Sequence, residues 1–261
     1  MVYDWFTMFI NRHPARNAAP KKLVLRPVRS GKTPAHCRRR PADLKGNMPK
    51  SFHSLLLVDK DAPPDGGGAD AVLCSASLAP RLPPGIGIFF TLPDEDERTL
   101  RSLIRLVPTG VVLTNCHAGA DVQRLDVLLS VAEAEEGVTE GTTRILAFTD
   151  GLLPPPLSEA GFCRKSQRLH GLVWDWRALA QTLGAARHQE ADGRWTDAFA
   201  RARAATLIAA KAAGVCAYDV TPNPVGWDFL SQCQAARADG FDGRVTVEPG
   251  QIAAINAAFK A

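Results

Sequence analysis

Acidic and polar side chains recur where short apolar, β-rich runs of the sequence stop: Asp59 and Asp61, Thr91, Asn115, Asp150, Asp175, Asp219 and Glu248. If those ends meet at one rim, several carboxylates converge there and could hold a hard cation such as magnesium, which takes one or two carboxylates and keeps water for substrate oxygens. Each position alone has a plainer role, because Asp after a strand caps the next helix or closes a turn. Only the recurrence around a ring favours a site. Two histidines invite a general-base role, His117 in NCHAG and His170 ahead of GLVW. His117, at an expected helix start beside Asn115, is the one to test; a satisfied or solvent-facing imidazole is the plainer reading of both. Trp174 and Trp176 bracket Asp175 and could line a pocket, although packing alone explains them.

The elements that must position these groups are eight short runs: LVLR (23–26), LLLV (55–58), IGIFF (86–90), VVL (111–113), ILAF (145–148), GLVW (171–174), VCAYDV (215–220) and VTV (245–247). Most are uniformly apolar, as parallel strands covered on both faces are. Helical patterns lie between the later runs, at 96–107, 120–136, 196–214 and 226–240, with Thr196 expected to cap one start and Gly214 and Gly240 to stand just past two ends. Pro249 suits the first turn of a last helix. Eight strands alternating with helices predict a (β/α)8 TIM barrel, whose reactive side chains come from the C-terminal strand ends; a doubly wound open sheet is the alternative.

With 261 residues, 46% of them apolar and 22% charged, the chain can bury a large core, and one domain suits the length. The expected organisation is an irregular extension over 1–20 and a single barrel over 21–261. No run approaches the roughly 18 apolar residues that span a bilayer. The net charge of +4 is uneven: residues 1–50 carry twelve Lys or Arg against two acids, so the head is strongly basic and the body acidic. A basic head could meet phosphates, yet it lacks the interleaved aromatics of a nucleic-acid face, and nucleic acid is not an expected partner. RSGKT (29–33) has Arg26 where a phosphate-binding loop needs glycine, so it is discarded. The six cysteines, Cys37, Cys74, Cys116, Cys163, Cys216 and Cys233, never fall as C-x-x-C and are expected to be reduced structural thiols of a cytoplasmic protein.

Five stretches carry a resemblance. VVLTNCHAGADVQRLD (111–126), TRILAFTDG (143–151), RLHGLVWDWRALAQTLGA (168–185), DGRWTDAFARARAATLIAAKAAGVCAYDV (192–220) and the closing GFDGRVTVEPGQIAAINAAF (240–259) follow one another with the order and spacing of the citrate lyase beta-subunit-like proteins of the HpcH/HpaI aldolase superfamily. FHSLLLVDKDAPPD (52–65) is a weaker echo of the same pattern. The resemblance implies a TIM barrel, usually a homo-oligomer, that makes or breaks a carbon–carbon bond beside a carbonyl of an acyl-CoA or small organic acid. In that family a magnesium ion and an arginine stabilise an enolate, placing positive charge where the oxyanion develops.

Departures cluster where that chemistry would sit. The family's arginine falls in Phe89, Phe90, Thr91; its metal glutamate falls on Asp150, and its second metal carboxylate on Ala178, with Asp175 and Arg177 as altered neighbours. Lys60 and Asp61 stand for an acid pair, Asn115 for a lysine and Glu248 for a histidine. Two readings follow. In one, a rebuilt lyase uses Asp150 and Asp175 for magnesium, Arg177 and Asn115 as catalytic groups, and Thr91 and Glu248 against substrate. In the other, the barrel has lost catalysis and serves as a structural or regulatory subunit, Glu248 being merely an acid near a helix N-terminus.

Overall fold

The computed structural model describes residues 52–58, 66–92, 95–222 and 228–260. Within them eight parallel strands close a barrel in chain order: β1 (Ser54–Leu57), β2 (Ala71–Cys74), β3 (Gly87–Thr91), β4 (Gly110–Leu113), β5 (Arg144–Thr149), β6 (Leu169–Trp174), β7 (Cys216–Val220) and β8 (Gly243–Thr246). β8 returns to β1 through Ser54↔Arg244, Leu55↔Val245 and Leu56↔Thr246, so no edge is left open. Six helices accompany them: α1 (Glu97–Ile104), α2 (Gly119–Glu135), α3 (Trp176–Leu183), α4 (Asp197–Ala213), α5 (Phe229–Asp239) and α6 (Ile252–Phe259).

Seven of the eight expected runs coincide with strands. The first, LVLR at 23–26, lies outside the described residues, and the barrel takes its eighth strand from AVLC at 71–74. That segment is easy to miss: it is four residues long, half of it Ala and Cys, and GGG precedes it. Asp59, Lys60 and Asp61 also lie outside the described residues, as does the basic head.

Strand alternation sorts the side chains into two cores. Leu55, Leu73, Phe89, Val112, Leu146, Phe148, Val173, Tyr218, Val220 and Val245 point into the barrel. Leu56, Val72, Phe90, Val111, Leu113, Ile145, Leu172 and Ala217 point out against the helices. Helix ends follow their expected chemistry. Gly214 and Gly240 hold left-handed C-cap positions, and Pro249 opens the short 3-10 turn that leads into α6. Thr196 stands at the N-cap of α4 but its side chain makes no capping bond.

His170 sits within β6 and is 1% exposed, its Nε2 3.0 Å from the Tyr218 hydroxyl, with the rings of Phe52 and Phe89 beside it. Burial, with a smaller push from Arg144, drives its pKa down to about 4, so the imidazole is a neutral packing element of the interior. Cys74, Cys116, Cys216 and Cys233 are free thiols, as expected; Cys163 departs from that expectation and is disulfide-bonded. Among the described residues no helix is long and apolar enough to cross a membrane.

Candidate functional site

The C-terminal mouth of the barrel opens into a cavity of about 380 Å³. Its lining comes mainly from β3 to β6, with Leu57 of β1 added. β3 supplies Thr91, the loop after β4 supplies Thr114, Asn115 and His117, β5 ends in Thr149 and is followed by Asp150, and β6 gives way to Asp175. One face of α3 adds Arg177, Ala178, Gln181 and Thr182, residues that the helical repeat brings to the same side. Five of the six proposed site residues, Thr91, Asn115, Asp150, Asp175 and Arg177, therefore share this cavity.

Local chemistry explains how each is held. Asn115 has φ 51°, a left-handed conformation that Asn tolerates better than most residues. The turn it makes lets Cys116 donate its backbone N–H to the Phe148 carbonyl at 2.9 Å, which pins the loop to β5. Asp121 then accepts the backbone N–H groups of His117 and Ala118 at 2.9 and 3.0 Å and fixes the start of α2. Asp150 is 5% exposed; its Oδ1 accepts the Leu152 N–H at 2.9 Å and its Oδ2 accepts the Thr182 hydroxyl at 3.2 Å. Its own carbonyl accepts the indole N–H of Trp174. The next residue, Gly151, has φ 89° and lies so close to α4 that a Cβ there would stand 2.6 Å from the Ala202 carbonyl. Glycine is required for that approach, and the approach sets where Asp150 projects.

Asp175 is both cap and counter-ion. It is the N-cap of α3, and its Oδ1 accepts the Arg177 backbone N–H at 3.0 Å. The Arg177 side chain curls back on the same carboxylate, Nε to Oδ1 at 2.8 Å and Nη2 to Oδ2 at 2.9 Å, a two-point fork that is stronger and more directional than a single bond. Burial opposes the guanidinium charge, but the Asp175 carboxylate outweighs it and holds Arg177 above its ordinary pKa.

Magnesium does not fit this arrangement. A metal centre needs carboxylate oxygens that are open to the ion. Here three of the roughly four acceptor positions of Asp175 are already used by Arg177. Among the described residues no group of three or more His, Cys, Asp or Glu side chains comes together as metal ligands would.

Two strand-end acids named from the sequence stand elsewhere. Glu248 is exposed at the cap of the turn Pro249–Gln251, makes no capping bond with its side chain, and takes no part in the lining. Asp219 is 0% exposed and points out of the barrel, where Arg244 Nε and Arg203 Nε donate to it at 2.7 and 2.9 Å. Burial alone would raise its pKa, yet the two guanidiniums pull it below the usual carboxylate value. Alternation was the available signal: with Tyr218 and Val220 facing inward, the residue between them must face outward. Thr182 and Gln181 escaped the sequence reading because α3 was not recognised as a helix; spacing of one turn from Arg177 and Ala178 would have found them. Trp174 faces outward into an aromatic cluster with Trp195 and Phe199, and Trp176 stacks on His188.

No protein-family model matches the chain. Over 162 residues it is 25% identical to the citrate lyase subunit beta of Leuconostoc mesenteroides subsp. cremoris, a match covering 61% of this chain and 52% of that protein. Over 96 residues it is 32% identical to a citrate lyase subunit beta-like protein of Mycobacterium tuberculosis, 34% of each. The chain thus matches about half or less of the length of these curated relatives. Among solved structures, the citrate lyase beta subunit of M. tuberculosis complexed with oxaloacetate and magnesium aligns with TM-score 0.58 at 21% identity, over 81% of this chain and 98% of the other. CitE of the same organism, in complex with magnesium, acetoacetate and coenzyme A, aligns with TM-score 0.58 at 20% identity, over 81% and 82%. At such identities the structural likeness speaks for the fold.

Proposed function

We propose that this chain, a citrate lyase beta-subunit-like protein of the HpcH/HpaI aldolase superfamily, keeps the small-ligand cavity of a lyase barrel but no longer performs magnesium-dependent carbon–carbon cleavage, and serves as a structural or regulatory subunit. The family is one of magnesium-dependent lyases, and its solved members hold oxaloacetate, acetoacetate and coenzyme A. The observation that carries the proposal is the Arg177 fork on Asp175, which closes one of the two carboxylates a metal would need. A second departure points the same way. Phe89 packs inside the barrel, Phe90 packs against the helices, and only Thr91 of that stretch reaches the cavity, so β3 brings no cation to an oxyanion. Loss of one such donor costs about 2.7–4 kcal/mol of transition-state stabilisation.

One observation favours the rival reading of a rebuilt lyase: Asp150, Asp175, Arg177 and Asn115 do line one cavity. The deciding experiment offers citryl-CoA and malyl-CoA to the purified chain with and without millimolar magnesium. No product above the blank is expected. Magnesium-dependent release of a thioester product, abolished by Asp150→Asn, overturns the proposal.

A further inference from the structure

The mouth of the barrel holds its own cation. The lining carries two carboxylates, Asp150 and Asp175, and one guanidinium, Arg177. Asp150 spends one acceptor position of each oxygen on Leu152 and Thr182, whereas Asp175 is gripped at both oxygens by a side chain two residues away. The grip is built in locally, since the N-cap bond to the Arg177 backbone holds the carboxylate where the side chain returns to it. Asp175 is 3% exposed, so its carboxylate is largely withdrawn from water while the Arg177 side chain keeps a partly open edge.

We infer that Arg177 acts as a tethered counter-cation in the electrostatic place of a divalent ion, and that the Asp150–Asp175 pair is a latent metal site which this one side chain keeps closed. A divalent ion approaching Asp175 would have to displace Nε and Nη2 from its oxygens or stand beside a guanidinium of like sign. With Arg177 in place, the lining bears one net negative formal charge. A ligand of this mouth is therefore neutral or carries little negative charge and is held by hydrogen bonds, and a dicarboxylate is repelled. The inference deepens the functional reading above, from which it takes the identity of the cavity, but it has an independent readout.

The test is titration of the full chain with manganese alone, followed by electron paramagnetic resonance and by thermal melting with magnesium. Wild-type protein is expected to show no saturable manganese binding in the micromolar range and no change in melting temperature. Arg177→Gln, which removes the charge but keeps the backbone cap, is expected to bind manganese at least about tenfold more tightly and to melt higher in its presence. Arg177→Lys keeps a cation and stays closed. Adding Asp175→Asn to Arg177→Gln abolishes the gain. Micromolar manganese binding by wild type, or an Arg177→Gln variant that binds no better, overturns the inference; the wild-type measurement decides even where the variant fails to fold. Metal-independent thioester turnover by wild type would sink the functional reading and leave this titration to stand on its own, whereas magnesium-dependent turnover would overturn both.

Discussion

Asp219 lies in β7 and Asp175 directly follows the neighbouring β6; each meets arginine, and each is almost fully buried, yet they do opposite things. In the β6–β7 register Asp219 lies level with Trp174, and both residues face the helix layer. One residue further along β6, Asp175 turns inward and reaches the mouth. Asp219 ties α4 and β8 to β7 through Arg203 and Arg244, and Arg203 also reaches Asp239 at 2.7 Å. Asp175 engages an arginine of its own helix turn and borders a cavity. A single step of strand parity separates an architectural ion pair from a site ion pair, and chemical type alone does not distinguish them.

The comparison is broken most severely by Asp219→Asn. That change leaves the buried Arg244 guanidinium without its counter-charge and Arg203 with Asp239 alone, and is expected to cost about 3–5 kcal/mol, measured by urea unfolding. If it proves neutral, the wall network is not architectural and the contrast with Asp175 fails.

The next effect concerns the interior beneath the mouth. His170 titrates at about 4 in the folded chain against an ordinary value near 6.5. Because the folded pKa is lowered, the unfolded chain binds more protons between those values. The His170 contribution is therefore complete above about pH 6.5 and is lost as the pH falls toward 4, an effect on the order of 3 kcal/mol. Denaturant unfolding across that range should show a slope that flattens in His170→Gln, whatever the absolute stability of the variant. An unchanged slope would mean that the imidazole is not kept neutral by burial.

Asp175→Asn removes the charge of the fork while keeping an acceptor for the cap. A loss of about 1–2 kcal/mol is expected, smaller than at Asp219 because Arg177 retains 26% of its side-chain exposure and can reach water. A loss as large as that at Asp219 would put both aspartates in one architectural class. Glu248→Ala, at an exposed position outside the cavity, should shift stability by no more than about 0.5 kcal/mol and leave ligand binding unchanged. A clear loss of binding there would return Glu248 to the site.

Legibility of the fold followed the length and purity of each segment. GLVW and ILAF are apolar on both faces because parallel barrel strands are covered on both faces, and VCAYDV breaks that pattern only at Asp219, so β5, β6 and β7 stand out in the chain. AVLC offers four residues of middling propensity, and pairing with β1 and β3 makes it a strand. α3 escaped notice for a similar reason. It is eight residues long and opens with Trp-Arg, and its start is declared by the Asp175 cap more than by any apolar stripe. Of the site, the positions of Asp150, Asp175, Arg177, Asn115 and Thr91 were legible because C-terminal strand ends crowd one rim of a barrel. The fork of Arg177 on Asp175 was not legible, since a pair two residues apart can as well splay into solvent.

From the order of its residues the chain specifies the apolar runs of seven of the eight barrel strands, the glycines that end α4 and α5, and a resemblance that names the barrel. Closure of that barrel decided which acids look inward. Side chains alternate with a period of two, so a shift of one residue between paired strands moves a carboxylate from cavity to wall, and only the register of all eight strands fixes that parity.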